Sequence, residues 1–253
     1  MSADSSILAN VHAYASPHRF LGLATRLTPW TFGVAALLLA VGLYGALFVA
    51  PPDYQQGESA RIMFVHVPAA WMAMASYLAL AIASAIGFVY KHPLADVSAK
   101  SMALPGAIFT ALALITGSLW GKPTWGTYWV WDARLTSVLI LFFLYVGYIA
   151  LWEAIEEPAR AARAAAILAL AGAVNVPIIH YSVEWWSTLH QGTSVLRKDG
   201  PSIHFSMLWP LLTMALGYTA LFAGLVLIRM RSEILERRLR SLRLMAGARE
   251  TAL

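Results

Sequence analysis

Six apolar stretches, each bounded by short segments that hold the charged residues, set the pattern of this chain: 30–50, 62–89, 102–119, 133–152, 164–181 and 204–228. Each reaches, or nearly reaches with its interfacial flanks, the roughly 20 residues a helix needs to cross a hydrocarbon core about 30 Å thick. The first is too long for the apolar region of a signal peptide, and no small-x-small pattern precedes Pro51, so it reads as a retained anchor. No internal repeat or low-complexity linker divides the series. The pattern predicts an all-α polytopic membrane protein: one six-helix bundle over 1–253 as a single domain, ending in a basic tail, 229–253.

Composition narrows the class. Hydrophobic residues make up 59% and charged residues 12%, about half the charge of an average soluble domain, which excludes an ordinary water-soluble protein and a disordered one. Cysteine is absent, so a disulfide framework, a thiolate metal site, a Cys nucleophile and a C-x-x-C-H haem attachment are excluded. The net charge of +5 reads as topology before it reads as nucleic-acid affinity. With the N-terminus inside, thirteen Lys and Arg fall on the cytoplasmic side, seven of them between Arg229 and Arg249. Five fall outside: Arg61, Lys122, Arg134, Arg197 and Lys198. That ratio places both termini in the cytoplasm, with anionic lipid adding to the attraction and no nucleic-acid partner implied. The run RMRSEILERRLRSLR, 229–243, reads as a helix leaving the last span, with either a solvated or lipid-hugging face or a docking role.

This topology separates the chemistry-bearing residues. His12, His18 and His92 fall inside, and His66, His180, His190 and His204 fall outside or at outer helix ends. Eight of the ten tryptophans are outer: Trp71, Trp120, Trp125, Trp129, Trp131, Trp185, Trp186 and Trp209. An interfacial belt alone would balance the two faces. The densest segment is WGKPTWGTYWVWD, 120–132, where Gly121, Pro123 and Gly126 argue for an irregular shelf or a short interfacial helix rather than one continuous transmembrane helix. Asp132 suits the N-cap of the fourth span. Arg134 then lies where the helix dipole disfavours a cation, so a partner is expected, either Asp132 or an anionic ligand group. In SVEWWSTLHQG, 182–192, Trp186 and His190 share a face if the segment is helical.

Two outer histidines, an aromatic shelf and outer arginines meet the needs of haem: axial imidazoles, apolar walls and cations for the propionates. No phosphate loop, clustered Ser-His-Asp arrangement or zinc site is evident, and Asn175 is the main polar residue near mid-span. The residues alone leave three readings open: a haem-delivery protein, a bis-His electron-transfer cytochrome subunit, and a scaffold or permease with an aromatic belt.

The run WGKPTWGTYWVWDARLTS resembles the tryptophan-rich "WWD" signature of haem-handling membrane proteins. With PDYQQGESARIMFVHVPAA and IIHYSVEWWSTLHQG, it makes the chain similar to the cytochrome c maturation protein C family (CcmC, haem exporter protein C) over about residues 30–228. The resemblance implies six spans in a bacterial inner membrane and haem b held non-covalently at the periplasmic face, with His66 and His190 as axial ligands. Trp120, Trp125, Trp129, Trp131 and Asp132 correspond to the family's motif, and Arg61 and Arg134 to its functional arginines. His180 and His204 match no family ligand. The implied role is haem transfer to the chaperone CcmE alongside the transporter subunits CcmA and CcmB and the small membrane protein CcmD. Any ATP hydrolysis would belong to those partners.

Overall fold

A computed structural model describes residues 16–192, 194, 195, 197 and 199–250. His12, Lys198 and residues 251–253 of the tail lie outside the described residues, as does the side chain of Arg249. Among the described residues seven α-helices follow one another: α1 Pro17–Tyr44, α2 Met63–Tyr90, α3 Pro93–Trp125, α4 Ala133–Ala154, α5 Pro158–Ala173, α6 Asn175–Trp185 and α7 Phe205–Glu250. A π-helical turn, Gly45–Val49, extends α1, and a 3-10 turn, Glu58–Ile62, leads into α2. α5 and α6 together form one crossing, so six segments among the described residues are long and apolar enough to span a membrane. Among the described residues there is no strand beyond a single bridge between Asp53 and Gly57. The all-α membrane fold expected from the pattern is the observed one.

Helix ends follow local chemistry. Ser16 caps α1 with Pro17 at its first position, and His92 caps α3 with Pro93 there. Lys91 closes α2 in the left-handed conformation (φ 51°), its N–H bonded to Gly87 O. The third span differs from its expected bounds. The shelf was expected to begin near Trp120, yet α3 continues through Gly121 and Pro123 to Trp125. Pro123 sits in the last turn, where one lost bond is tolerable, and Gly126 (φ 79°) is the true stop, donating to Lys122 O at 3.0 Å. Gly121 stays helical because the Trp125 ring folds back over it; a Cβ there would lie 3.1 Å from that indole.

α1 and α7 run antiparallel with glycines at their contacts: Gly42 against Met214, Gly217 against Leu39, Gly224 against Thr31 and Phe32. Removing the side chain lets two membrane helices approach closely, which substitutes for the hydrophobic drive that lipid abolishes. The central core is built on Tyr77, Tyr145 and Tyr148 among alanines of α2, α3 and α5. Tyr145 spends its hydroxyl on Ser76 Oγ (2.8 Å) and Ala73 O (3.0 Å), so this buried phenol is satisfied. With an even number of crossings, the start of α1 and the end of α7 share one end of the bundle, here the tail end. The opposite end gathers the turns and short loops described next.

Candidate haem-handling site

The site end is held by interlocking backbone and side-chain bonds. Asp53 Oδ1 accepts from Gln55 N and Gln56 N, and Gly57 (φ 57°) turns the chain back, fixing Gln56. Gln56 Oε1 then accepts from Trp120 Nε1 at 2.8 Å. Arg61 donates to Glu58, to Ala46 O and, at 3.0 Å, to Ala50 O, so it ties the π-helical turn to the start of α2. Ala46 lies in the π-helical turn and Ala50 is its cap, and this guanidinium pairs both carbonyls. Trp209 of α7 closes the other side, its indole filling the space that Gly45 leaves open.

His66 lies in the first turn of α2, half-buried against α3. Its Nδ1 is 3.0 Å from Ala113 O and 3.2 Å from Thr116 Oγ1. A carbonyl can only accept, so the proton sits on Nδ1 and the lone pair on Nε2. Gly117 leaves room for the ring: a Cβ there would be 2.8 Å from His66 Cε1. Trp120, one turn further along α3, meets the imidazole edge-on at 5.7 Å.

His190 is in the non-helical segment after α6, which ends at Trp185 with Trp186 as its cap. The helical register that would place Trp186 and His190 on one face is therefore not formed. Asp132 holds His190 instead. Its Oδ1 caps α4 by accepting from Leu135 N (2.8 Å), and its Oδ2 lies 3.3 Å from His190 Nδ1 and 3.4 Å from Leu189 N. Again the bonded nitrogen is Nδ1, leaving Nε2 as the free lone pair. Trp125 packs against this ring at 4.9 Å. Burial holds His190 below the usual imidazole range; Asp132 partly offsets that and Arg134 adds to it. The ring is neutral at pH 7, the form that can ligate a metal.

Trp120 and Trp125 are five residues apart on α3, about 7.5 Å of rise, and each touches one of the two histidines. One helix end therefore brings together His66 and His190, with Asp132 beside the second. Trp129 and Trp131 follow in the non-helical segment before α4, packed edge to face at 5.5 Å. Trp129 Nε1 is buried without a partner among the described residues, while Trp131 is 75% exposed.

Among the described residues Arg134 forms no hydrogen-bonded ion pair with Asp132, one of the two partners expected for it. It donates to Ser182 Oγ (3.1 Å), His180 O (3.2 Å) and Ile179 O (3.4 Å), all within α6. The dipole of its own helix disfavours the charge there, and the two α6 carbonyls, the Ser182 hydroxyl and the nearby Asp132 carboxylate together offset it. One terminal nitrogen, Nη1, has no partner among the described residues, and Nη2 of Arg61 is in the same position. His204 bonds Ser206 within its own turn, as a local structural residue. Gln56 was missed in the sequence; its signal, an Asx turn ending in glycine just ahead of α2, is weak. No cluster of three His, Asp or Glu able to hold a bare metal ion occurs among the described residues.

The chain is similar to known proteins over most of its length. The profile of the family described as "Heme exporter protein C" matches residues 10–245. The chain is similar to heme exporter protein C of Bradyrhizobium diazoefficiens, 57% identical over 93% of this chain and 89% of the relative. It is also similar to that of Escherichia coli K12, 49% identical over 89% and 91%, and of Paracoccus denitrificans, 43% identical over 92% and 97%. The chain therefore belongs to the heme exporter protein C family.

Proposed function

We propose that this chain serves haem export for c-type cytochrome maturation as a transport rather than a catalytic protein. It holds haem b non-covalently between His66 and His190 and passes it on. The observation that carries the reading is the matched presentation of the two imidazoles. Each is tethered through Nδ1, so each offers Nε2, as bis-His haem ligation requires. The surrounding indoles of Trp120, Trp125, Trp129 and Trp131 suit the macrocycle, and the free guanidinium nitrogens of Arg61 and Arg134 suit its propionates.

The two ligands differ in mobility. His66 is seated on a helix, whereas His190 is on a loop fastened mainly by one carboxylate. Release would begin at His190, with Asp132 holding the ring until a competing ligand arrives. By the positive-inside count the site faces the periplasm of a bacterial inner membrane, where the chaperone CcmE would receive the haem. CcmA, CcmB and CcmD complete the proposed assembly. The test is the absorption spectrum of the purified protein in detergent. His66→Ala and His190→Ala should each lose the low-spin signature, and added imidazole should restore it. An unchanged low-spin spectrum in both variants would reject the pair.

A further inference from the structure

The tail end carries a surface that haem handling does not use. α7 is one helix of 46 residues, Phe205–Glu250. Gly224 backs onto Thr31 and Phe32, beside the exposed Trp30 of α1, which sets the edge of the apolar slab a few residues before Arg229. Beyond it, Met230 and Ile234 still pack on Leu94, Val97 and Phe20. Glu233 anchors the same turn by accepting from Lys100 and Arg237, both at 2.7 Å, and both cations lie over the Trp152 ring. From Leu235 to Glu250 the helix projects past this anchor by about 24 Å at 1.5 Å per residue.

On the projection, Leu235, Leu239 and Leu242 are 46%, 52% and 59% exposed. Their spacing puts them on one stripe, on the side away from Met230 and Ile234. Arg231 and Arg238 edge the stripe on one flank and Arg243 on the other. Between residues 229 and 246 there are six arginines and two glutamates. A projecting helix of this length is marginal in water by itself, and an apolar stripe at such spacing is the pattern by which helices dock into grooves.

We infer that this projection is the docking site for an acidic amphipathic helix of a partner protein in the aqueous phase on the tail side. Charge selects the occupant, since a second copy would set arginine against arginine. Geometry argues against lipid. No Gly or Pro breaks residues 225–246, so the helix continues the line of its own span away from the bilayer and does not turn its leucines down onto it. The ion-paired anchor at Glu233 fixes the angle at which the surface is presented.

The test uses the full chain in native membranes, with a benzophenone amino acid at Leu239 or Leu242 and, as the off-stripe control, at Ser241. Irradiation should give an adduct from the two stripe positions, mapped by mass spectrometry to a helical segment of net negative charge in another protein. Arg231→Glu with Arg238→Glu and Arg243→Glu should cut that yield at least tenfold while leaving the Glu233 anchor intact. Adducts to lipid, to another copy of this chain or to a basic segment would overturn the inference. So would equal yield from Ser241, no adduct at all, or indifference to charge reversal.

Discussion

Replacing Asp132 by Asn separates two jobs that one carboxylate performs. Oδ1 caps α4 through Leu135 N, and Oδ2 holds His190 Nδ1 and Leu189 N. Asn caps helices about as well as Asp, so its carbonyl can keep the Leu135 bond and the fold should lose only a few tenths of a kcal/mol. Its NH₂ then faces His190, where a donor meets a donor. The charge-assisted bond, worth about 1.5–3 kcal/mol, is gone, and haem affinity should fall by roughly 10- to 100-fold, the usual effect of losing a partner behind a ligating histidine. Asp132→Ala should lose the cap as well, about 1 kcal/mol further in stability. The pH dependence carries a sign. Asp132 raises the pKa of His190 against burial, so the Asn variant should titrate lower still. The neutral buried ring contributes its stability fully above the unfolded imidazole value of about 6.5, and that contribution is lost as pH falls through the folded value. Haem titration of each variant in nanodiscs, thermal unfolding and an NMR pH titration of His190 measure the three effects. Wild-type haem affinity in Asp132→Asn, or a stability loss equal to that of Asp132→Ala, would refute the division of labour.

Gly117→Ala should displace the His66 ring, since the new methyl would lie 2.8 Å from Cε1. An overpacking cost of about 1–3 kcal/mol and a shifted low-spin spectrum are expected, whereas Gly33→Ala, with open space around it, should leave the spectrum unchanged. Trp131→Ala should leave membrane insertion and thermal stability normal and lower haem transfer, because the indole is mostly exposed; Trp120→Ala should lower the melting temperature too, since Trp120 bonds Gln56 and packs on the core at this end. Arg61→Lys and Arg134→Lys should weaken haem retention by about 1 kcal/mol, and haem dimethyl ester, which lacks propionate charges, should bind wild type and variants about equally; ester binding to wild type as tight as that of haem would remove the propionate role.

The bundle was legible because lipid makes the pattern obligatory: a backbone crossing hydrocarbon must be helical, so six apolar runs between charges leave little choice. The boundaries were less legible, and the reason is particular. Pro123 and Gly121 look like a helix stop, but a proline in a final turn costs one bond, and the helix keeps going until Gly126 offers a left-handed residue. That extension moved Trp120 and Trp125 from a loose shelf onto α3, the element that touches both histidines.

Arg134 shows what pattern alone leaves out. Its position at a helix start called for a compensating negative charge, and the sequence offered Asp132 two residues away. The structure supplies two main-chain carbonyls and a hydroxyl of α6 instead, acceptors that no charged residue letter marks. Asp132 accepts no hydrogen bond from Arg134 among the described residues and spends its Oδ2 on His190, 58 residues along the chain. The two observations are one: because α6 carbonyls and a hydroxyl take the guanidinium's hydrogen bonds, the carboxylate beside it is available to orient an imidazole. A sequence reading pairs the nearest opposite charges. Here the fold brings a more distant partner to each, and the His190 imidazole acquires its tether only as a result.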